Sequence, residues 1–289
     1  MNLPHDPLWP RANSIFSSDF ESTYDFTVVG VPAHTTSISE TSAHLTPDAI
    51  RQVLPRYSLA HANPSVNLSR ISLRDAGNVI SPDIDEPRTI AELQALAQKS
   101  KLLVALGGDN SITFSAARAV EATGLITFDA HYDLRDGINN GSPVRRLIEA
   151  GISGKNIVQI GIADFSNSPE YAARAQELGI TVIHRSELRH ANLEEIWSRA
   201  ISIAGKRIHV DIDMDVCDRS VAPACPAAAP GGISADEVRQ FAFFAGASKD
   251  VISIDITEID ATRDSADQRS VRLAALLLLE AAAGFSTRL

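Results

Sequence analysis

Short β-rich apolar runs alternate with amphipathic stretches along almost the whole chain, and that alternation leaves few folds open. The strand-like runs are DFTVVGV (25–31), LLVAL (102–106), LITFDA (125–130), IVQIGI (157–162), TVIH (181–184), RIHVDIDM (207–214) and VISIDIT (251–257). Between them the apolar spacing predicts helices at 46–54, 89–100, 111–120, 142–150, 168–178, 192–202 and 234–246. LAALLLLEAAAGF (273–285) reads as a buried C-terminal helix. Helix starts carry cap residues: Thr46 before Pro47, Ser168 before Pro169, and Ser234 with Glu237 three residues on. Strands that are apolar along most of their length belong in a parallel sheet covered on both faces. The expectation is a single doubly wound α/β domain over residues 1–289. In such sheets the ligand site lies beyond the carboxyl ends of the strands.

Composition narrows the function. With 44% apolar and 21% charged residues, the chain has the balance of a soluble globular protein. A formal charge of −10 with no basic cluster argues against a nucleic-acid surface. The longest apolar run is broken by Glu280 and is too short to span a bilayer. MNLPHDPLWPRANS has no basic start followed by an apolar run, so no signal peptide is expected. Cys217 and Cys225 are too few for a disulfide framework, which points to a reduced, cytoplasmic compartment. The longest irregular stretches, 1–23, 60–85 and 215–233, are of a length that in compact domains is often functional.

Carboxylates gather where the strands end. LITFDAHYDLRD spaces Asp129, His131 and Asp133 by two, so in extended chain they share a face. HVDIDMDVCD does the same for His209, Asp211, Asp213 and Asp215, and SIDITEID brings Asp255 and Glu258 near a third strand end. So many carboxylates in one place raise one another's pKa and lose hydration together. A divalent cation is the economical remedy. Several oxygen ligands with one imidazole suit Mn²⁺ foremost, then Mg²⁺ or Fe²⁺. Two ions about 3.5–4 Å apart, bridged by carboxylates, would absorb more charge and activate a water. A lone DxD or DxHxD is more often a solvated edge or chance; together, at the ends of apolar strands, they favour a metal site. His209 lies earlier in its strand and reads as a packed sheet residue, and Asp211 stays ambiguous. The cysteines read as passive rather than as zinc ligands, since no CxxC or Cys/His pairing accompanies them.

Three ordered motifs carry a resemblance to the ureohydrolase family of arginases, agmatinases and formimidoylglutamases. LGGDNSIT resembles the family's LGGDHSIT, ITFDAHYD matches its strand-DAHxD signature, and DIDMDVCDRSVAPACPAAAPGG resembles its SxDxDxxDP segment with the loop that follows. The resemblance spans roughly residues 25–285. It implies a three-layer α/β/α domain with a mainly parallel eight-stranded sheet. It also implies hydrolysis of an amidino or guanidino carbon–nitrogen bond at a two-manganese centre, in an enzyme that usually forms homo-oligomers. By motif the ligands would be Asp129, His131, Asp133, Asp213 and Asp215, with Asp129 and Asp213 bridging. His131 and Asp215 would serve mainly one ion, and Asp133 and residue 110 the other. Asp211 stands where the family has serine, so it is not a ligand by this mapping. The sixth ligand, histidine in the family, is Asn110 here. A neutral amide oxygen is the weaker donor towards Mn²⁺, so one ion is expected to bind firmly and the second loosely. A plain N-cap role for Asn110 on helix 111–120 also stays open.

The same resemblance bears on the substrate. Glu258 matches the glutamate that pairs with the substrate amidinium, a charge-assisted contact expected to be bidentate. Arg135, in DAHYDLR, resembles the formimidoylglutamase branch and would hold a substrate carboxylate while repelling a cationic tail. The plain alternative is a surface arginine paired with Asp136. Asn140 replaces the histidine with which arginases shuttle protons, and it is kept as a substrate-side residue. Asp133 or Asp215 would take the proton of the attacking water. The reading is Mn²⁺-dependent hydrolysis of N-formimino-L-glutamate, a step of histidine degradation. The rivals are a hydrolase of another guanidino compound, such as a modified arginine, and an inactive metal-binding relative.

Overall fold

In a strand, successive side chains face opposite sides of the sheet, and here both sides are buried. Phe26, Val28, Leu102, Val104, Ile126, Phe128, Ile208, Val210 and Ile254 fill one core, while Val29, Leu103 and Leu125 fill cores on the other side. A sheet buried this way must be sandwiched. The computed structural model describes residues 6–19 and 22–288, so residues 1–5 and 20–21 of the expected N-terminal irregular stretch lie outside the described residues. Its strands are β1 (Phe16–Ser17), β2 (Tyr24–Val31), β3 (Leu73–Asn78), β4 (Ser100–Gly107), β5 (Gly124–Phe128), β6 (Ile157–Ile162), β7 (Thr181–His184), β8 (Ile208–Asp213) and β9 (Val251–Thr257). They form one nine-stranded sheet in the order β1-β3-β2-β4-β9-β8-β5-β6-β7, with every pairing parallel.

The helices are α1 (Thr46–Val53), α2 (Glu86–Ala97), α3 (Ile112–Ala119), α4 (Pro143–Glu149), α5 (Pro169–Leu178), α6 (Arg185–Leu188), α7 (Leu193–Ala204), α8 (Ala235–Ala247) and α9 (Arg269–Ser286). Residues of α1, α7, α8 and α9 share the first core; α2, α3, α4 and α5 cover the other face. This is the expected α/β/α stack. Between β4 and β5 in the chain, the sheet order doubles back past β9 and β8, so the central strand ends open into one crevice.

Several expectations shift. The sheet has nine strands, not eight, because two residues of the N-terminal stretch pair with β3. β3 itself lay inside the stretch expected to be irregular. Its sequence, LRDAGN, runs from buried to exposed, so it carries neither a continuous apolar run nor a clean alternation. α2 begins three residues before the expected 89, because Asp85 caps the Arg88 amide and Pro87 sits in the first turn. Thr46 is not a cap. It is the first residue of α1, and its hydroxyl donates to the Ile259 carbonyl at 2.5 Å. Ser168 and the Ser234/Glu237 capping box form as expected. Among the described residues no helix is long and apolar enough to cross a membrane.

α8 and α9 approach closely through two reciprocal glycines. A Cβ on Gly246 would stand 2.0 Å from the Ala281 carbonyl oxygen, and one on Gly284 would stand 2.0 Å from that of Phe243. Backbone cannot yield as a flexible side chain does, so the helices would have to separate. Gly284→Ala is expected to cost about 1–3 kcal/mol, the usual penalty for overpacking, read as a lower urea midpoint. An unchanged midpoint would show that the contact is not tight.

Candidate active site

Asp129 lies one residue beyond β5 and Asp213 closes β8, two hydrogen-bonded neighbours in register with Phe128 beside Ile212. Asp213 accepts from the Asp215 amide at 2.8 Å, which folds the chain into a tight turn and returns Asp215 to the same place. The Ala130 amide donates to Asp215 Oδ1 at 2.9 Å, and His131 Nδ1 lies 2.6 Å from Asp215 Oδ2 and 3.5 Å from Asp129 Oδ1. Asp129, His131 and Asp215 each present one ligand atom, all within 4.8 Å of one another. Asp129 Oδ2 is buried without a hydrogen-bond partner.

Asp133 completes the strand-end motif from a buried position at φ 52°, a strained backbone for an aspartate. Its Oδ2 accepts from Asn110 Nδ2 at 2.7 Å. Asn110 stands at the β4–α3 junction, yet it does not cap α3, whose N-cap residue is Ser111. Its side-chain oxygen instead accepts from the hydroxyls of Thr113 at 2.8 Å and Thr257 at 3.0 Å. The amide therefore turns its nitrogen towards Asp133 and its oxygen away. Asp211 sits one row deeper, fully buried beside Asp255 on β9, with both carboxylate oxygens unpartnered. Burial first, then Asp255, pushes its pKa well up. His209 is a buried sheet residue held by Ser253 at 2.6 Å and Asp255 at 3.1 Å.

Glu258, also at positive φ (66°), follows β9. Its Oε1 accepts from the Asn110 backbone amide at 2.7 Å and from Asn140 Nδ2 at 2.8 Å. With that oxygen holding two donors, Oε2 is the freer acceptor. Asn140 spends its amide here: its Oδ1 takes the Ile38 amide at 2.9 Å, and its Nδ2 also faces Ser37 Oγ at 3.4 Å. It therefore lines the pocket while holding Glu258 in place. Ile38 belongs to a strap, residues 33–42, fixed at one end by Asp83 (3.0 Å to the amides of His34 and Thr35). Asp260 fixes the other end, 2.9 Å from the Ser42 amide.

These residues open into a pocket of about 230 Å³ lined by His131, Asp133, Arg135, Asn140, Asp213, Asp215 and Glu258. Arg135 is exposed at its rim. The Arg135–Asp136 pair of the plain alternative is not formed; Asp136 pairs with Arg174 at 2.9 Å. That leaves the Arg135 guanidinium without an ion-pair partner among the described residues. Sequence reasoning missed Thr113, Thr257 and Asn167. Asn167 clips the motif from outside, donating to the Ala130 carbonyl at 2.8 Å and accepting from the Tyr132 amide at 3.2 Å. Cys217 and Cys225 are buried, and burial pushes both thiols up, which leaves them unreactive.

The electrostatics show what this donor set needs. Burial, then Asp215, pushes Asp129 up to about 7; burial, then Asp129, pushes Asp133 well up; burial, then Asp215 and Asp129, does the same to Asp213. Burial and then Asp109 push Glu258 up to about 8, against the hydrogen bonds from Asn140 and Asn110. Burial opposes a charge on His131, but Asp215 and Asp129 outweigh it and push its pKa up to about 12. Burial also opposes a charge on Asp215, yet His131 holds its carboxyl below the ordinary value. Positive charge is what the cluster is short of. An oxygen-rich set with one imidazole and an unpartnered carboxylate oxygen fits a divalent ion of the manganese type.

A carboxyl whose folded pKa is raised binds its proton more tightly folded than unfolded. It contributes stability in acid that is lost as pH rises through the folded value. For Glu258 the window runs from its ordinary 4.5 to about 8. In EDTA, the urea stability of wild type minus that of Glu258→Gln is expected to fall across this window; a flat or rising difference counts against it. Added Mn²⁺ should release protons on binding and stabilise the chain more as pH rises, measurable by calorimetry in buffers of different ionisation enthalpy.

Residues 24–284 match the model of the arginase family. Formimidoylglutamases of Halalkalibacterium halodurans and Bacillus subtilis are each 34% identical to the chain. The alignments cover 88% and 89% of this chain and 85% and 86% of theirs. The solved formimidoylglutamase of B. subtilis superposes with a TM-score of 0.91 at 30% identity, covering 99% of this chain and 94% of that one. Trypanosoma cruzi formiminoglutamase, solved with Mn²⁺, superposes at 0.88 with 26% identity, covering 97% of this chain and 100% of that one. The strand order, the carboxylate-rich strand ends and this extent of likeness agree: the chain belongs to the arginase family.

Proposed function

We propose that residues 1–289 form one ureohydrolase-like domain that hydrolyses N-formimino-L-glutamate with water to glutamate and formamide. The observation that carries the reading is the pairing of opposite ends in one pocket. A buried glutamate, Glu258, faces it at the inner end, and an arginine without an ion-pair partner among the described residues, Arg135, lines its rim. A substrate that is a cation at one end and a carboxylate at the other satisfies both. The two formimidoylglutamase relatives support the same reading.

Asp129, His131, Asp213 and Asp215 would hold one Mn²⁺ firmly, and Asp133 with Asn110 would help to hold a second more weakly. When bound, the pair would supply a Lewis acid and a water ionised at neutral pH. Glu258 Oε2 accepts an N–H of the amidinium and fixes the reacting carbon, while Arg135 anchors a carboxylate. Asp133 or Asp215 would take the proton of the attacking water. The hydroxyls of Thr113 and Thr257 accept as well as donate, so the Asn110 amide can turn over and offer its oxygen to a cation. The reading extends to a homo-oligomer in the cytoplasm, acting on a small amidino substrate without nucleic-acid or membrane partners. The acidic balance of −10 argues against a nucleic-acid partner.

Two measurements test it. Mn²⁺-loaded protein is expected to turn over N-formimino-L-glutamate, and Arg135→Ala to lower kcat/KM about 10²-fold, with a far smaller loss on an amidine lacking carboxylates. Good turnover of arginine or agmatine with none of formiminoglutamate would overturn the substrate assignment. Asn110→His should tighten the second Mn²⁺ about tenfold, one 1.4 kcal/mol step, read by titration calorimetry and metal content; unchanged affinity would remove residue 110 from the ligand set.

A further inference from the structure

The 135–141 loop closes on itself, with the Arg135 amide donating to the Gly141 carbonyl at 2.9 Å. Its side chain then runs back across Gly141. A Cβ at 141 would stand 2.7 Å from Arg135 Cδ, and 3.2 Å from both Arg135 Nε and Ile38 Cδ1. Gly141 is not among the glycines with a left-handed backbone, so its conformation would accept an alanine. What would not accept one is the Arg135 side chain lying over it.

We propose that Gly141 is a specificity-determining residue: the bare backbone at 141 is the berth that seats Arg135 at the rim of the pocket. The residue beside it, Asn140, holds Glu258. Two adjacent positions of one turn thus set the two ends of the pocket, one through the amidinium acceptor and the other through the carboxylate anchor. This rests on reading the pocket as one for an amidino carboxylate. Gly141 touches no reacting atom; it is a positioning residue that acts through Arg135. The nearest atom to an added methyl belongs to a flexible side chain, so Arg135 should move and the fold should not.

The test is a double-mutant cycle of Gly141→Ala and Arg135→Ala in the Mn²⁺-loaded protein. Each variant is assayed on N-formimino-L-glutamate and on N-methylformamidine, which has no carboxylate. Gly141→Ala is expected to raise KM for formiminoglutamate about tenfold with kcat nearly kept. It should act little on N-methylformamidine and add nothing in the Arg135→Ala background. Equal losses on both substrates, or a full additive loss in the double variant, would overturn the proposal alone. Wild-type protein that ignores formiminoglutamate would overturn the functional reading and this proposal with it. Should Gly141→Ala lose its thermal transition, restoration by Arg135→Ala supports the berth, and failure to restore it overturns it.

Discussion

Asp129 and Asp213 stand side by side at the ends of two neighbouring parallel strands, both buried, and two such charges do not stay ionised together without a cation. The remaining geometry of the site follows from that pressure. Asp213 turns the chain so that Asp215 can meet His131; His131 is held charged by the aspartates around it; Asp133 takes a neutral donor from Asn110. Positive φ at Asp133 and Glu258 adds backbone strain of order 1–3 kcal/mol each. The apolar cores on both sides of the sheet hold these residues where isolated peptide would not.

What was legible in the sequence was whatever repeats locally. Period-two spacing at the end of an apolar run placed Asp129, His131 and Asp133, and capping chemistry placed the starts of α5 and α8. What stayed hidden depends on partners far along the chain. Thr257 engages Asn110 across 147 positions, and Asp136 chooses Arg174, 38 positions away, over its neighbour Arg135. An asparagine before a helix offers a cap as its plainest local role. Once folded, two threonine hydroxyls and an aspartate compete for it and win. β3 was unreadable for a related reason: beside a two-residue edge strand it needs only half its length buried, so its pattern fades.

One neutral side chain at 110 and one at 140 also change how the site is organised. Both amides donate to surrounding carboxylates, Asn110 to Asp133 and Asn140 to Glu258. Neither carries a titrating proton at neutral pH. Neither amide can pass a proton through this pocket; both set where the carboxylates point.

The strap over the pocket has a consequence for how molecules enter. Asp83, Asn140 and Asp260 come from three separate segments, and each receives backbone amides of residues 34–42. A segment pinned at both ends and in its middle has no hinge on which to swing. Residues 34–42 thus come to the pocket already tied to three separate segments. Holding the strap in place beforehand leaves less ordering to be done when a ligand arrives.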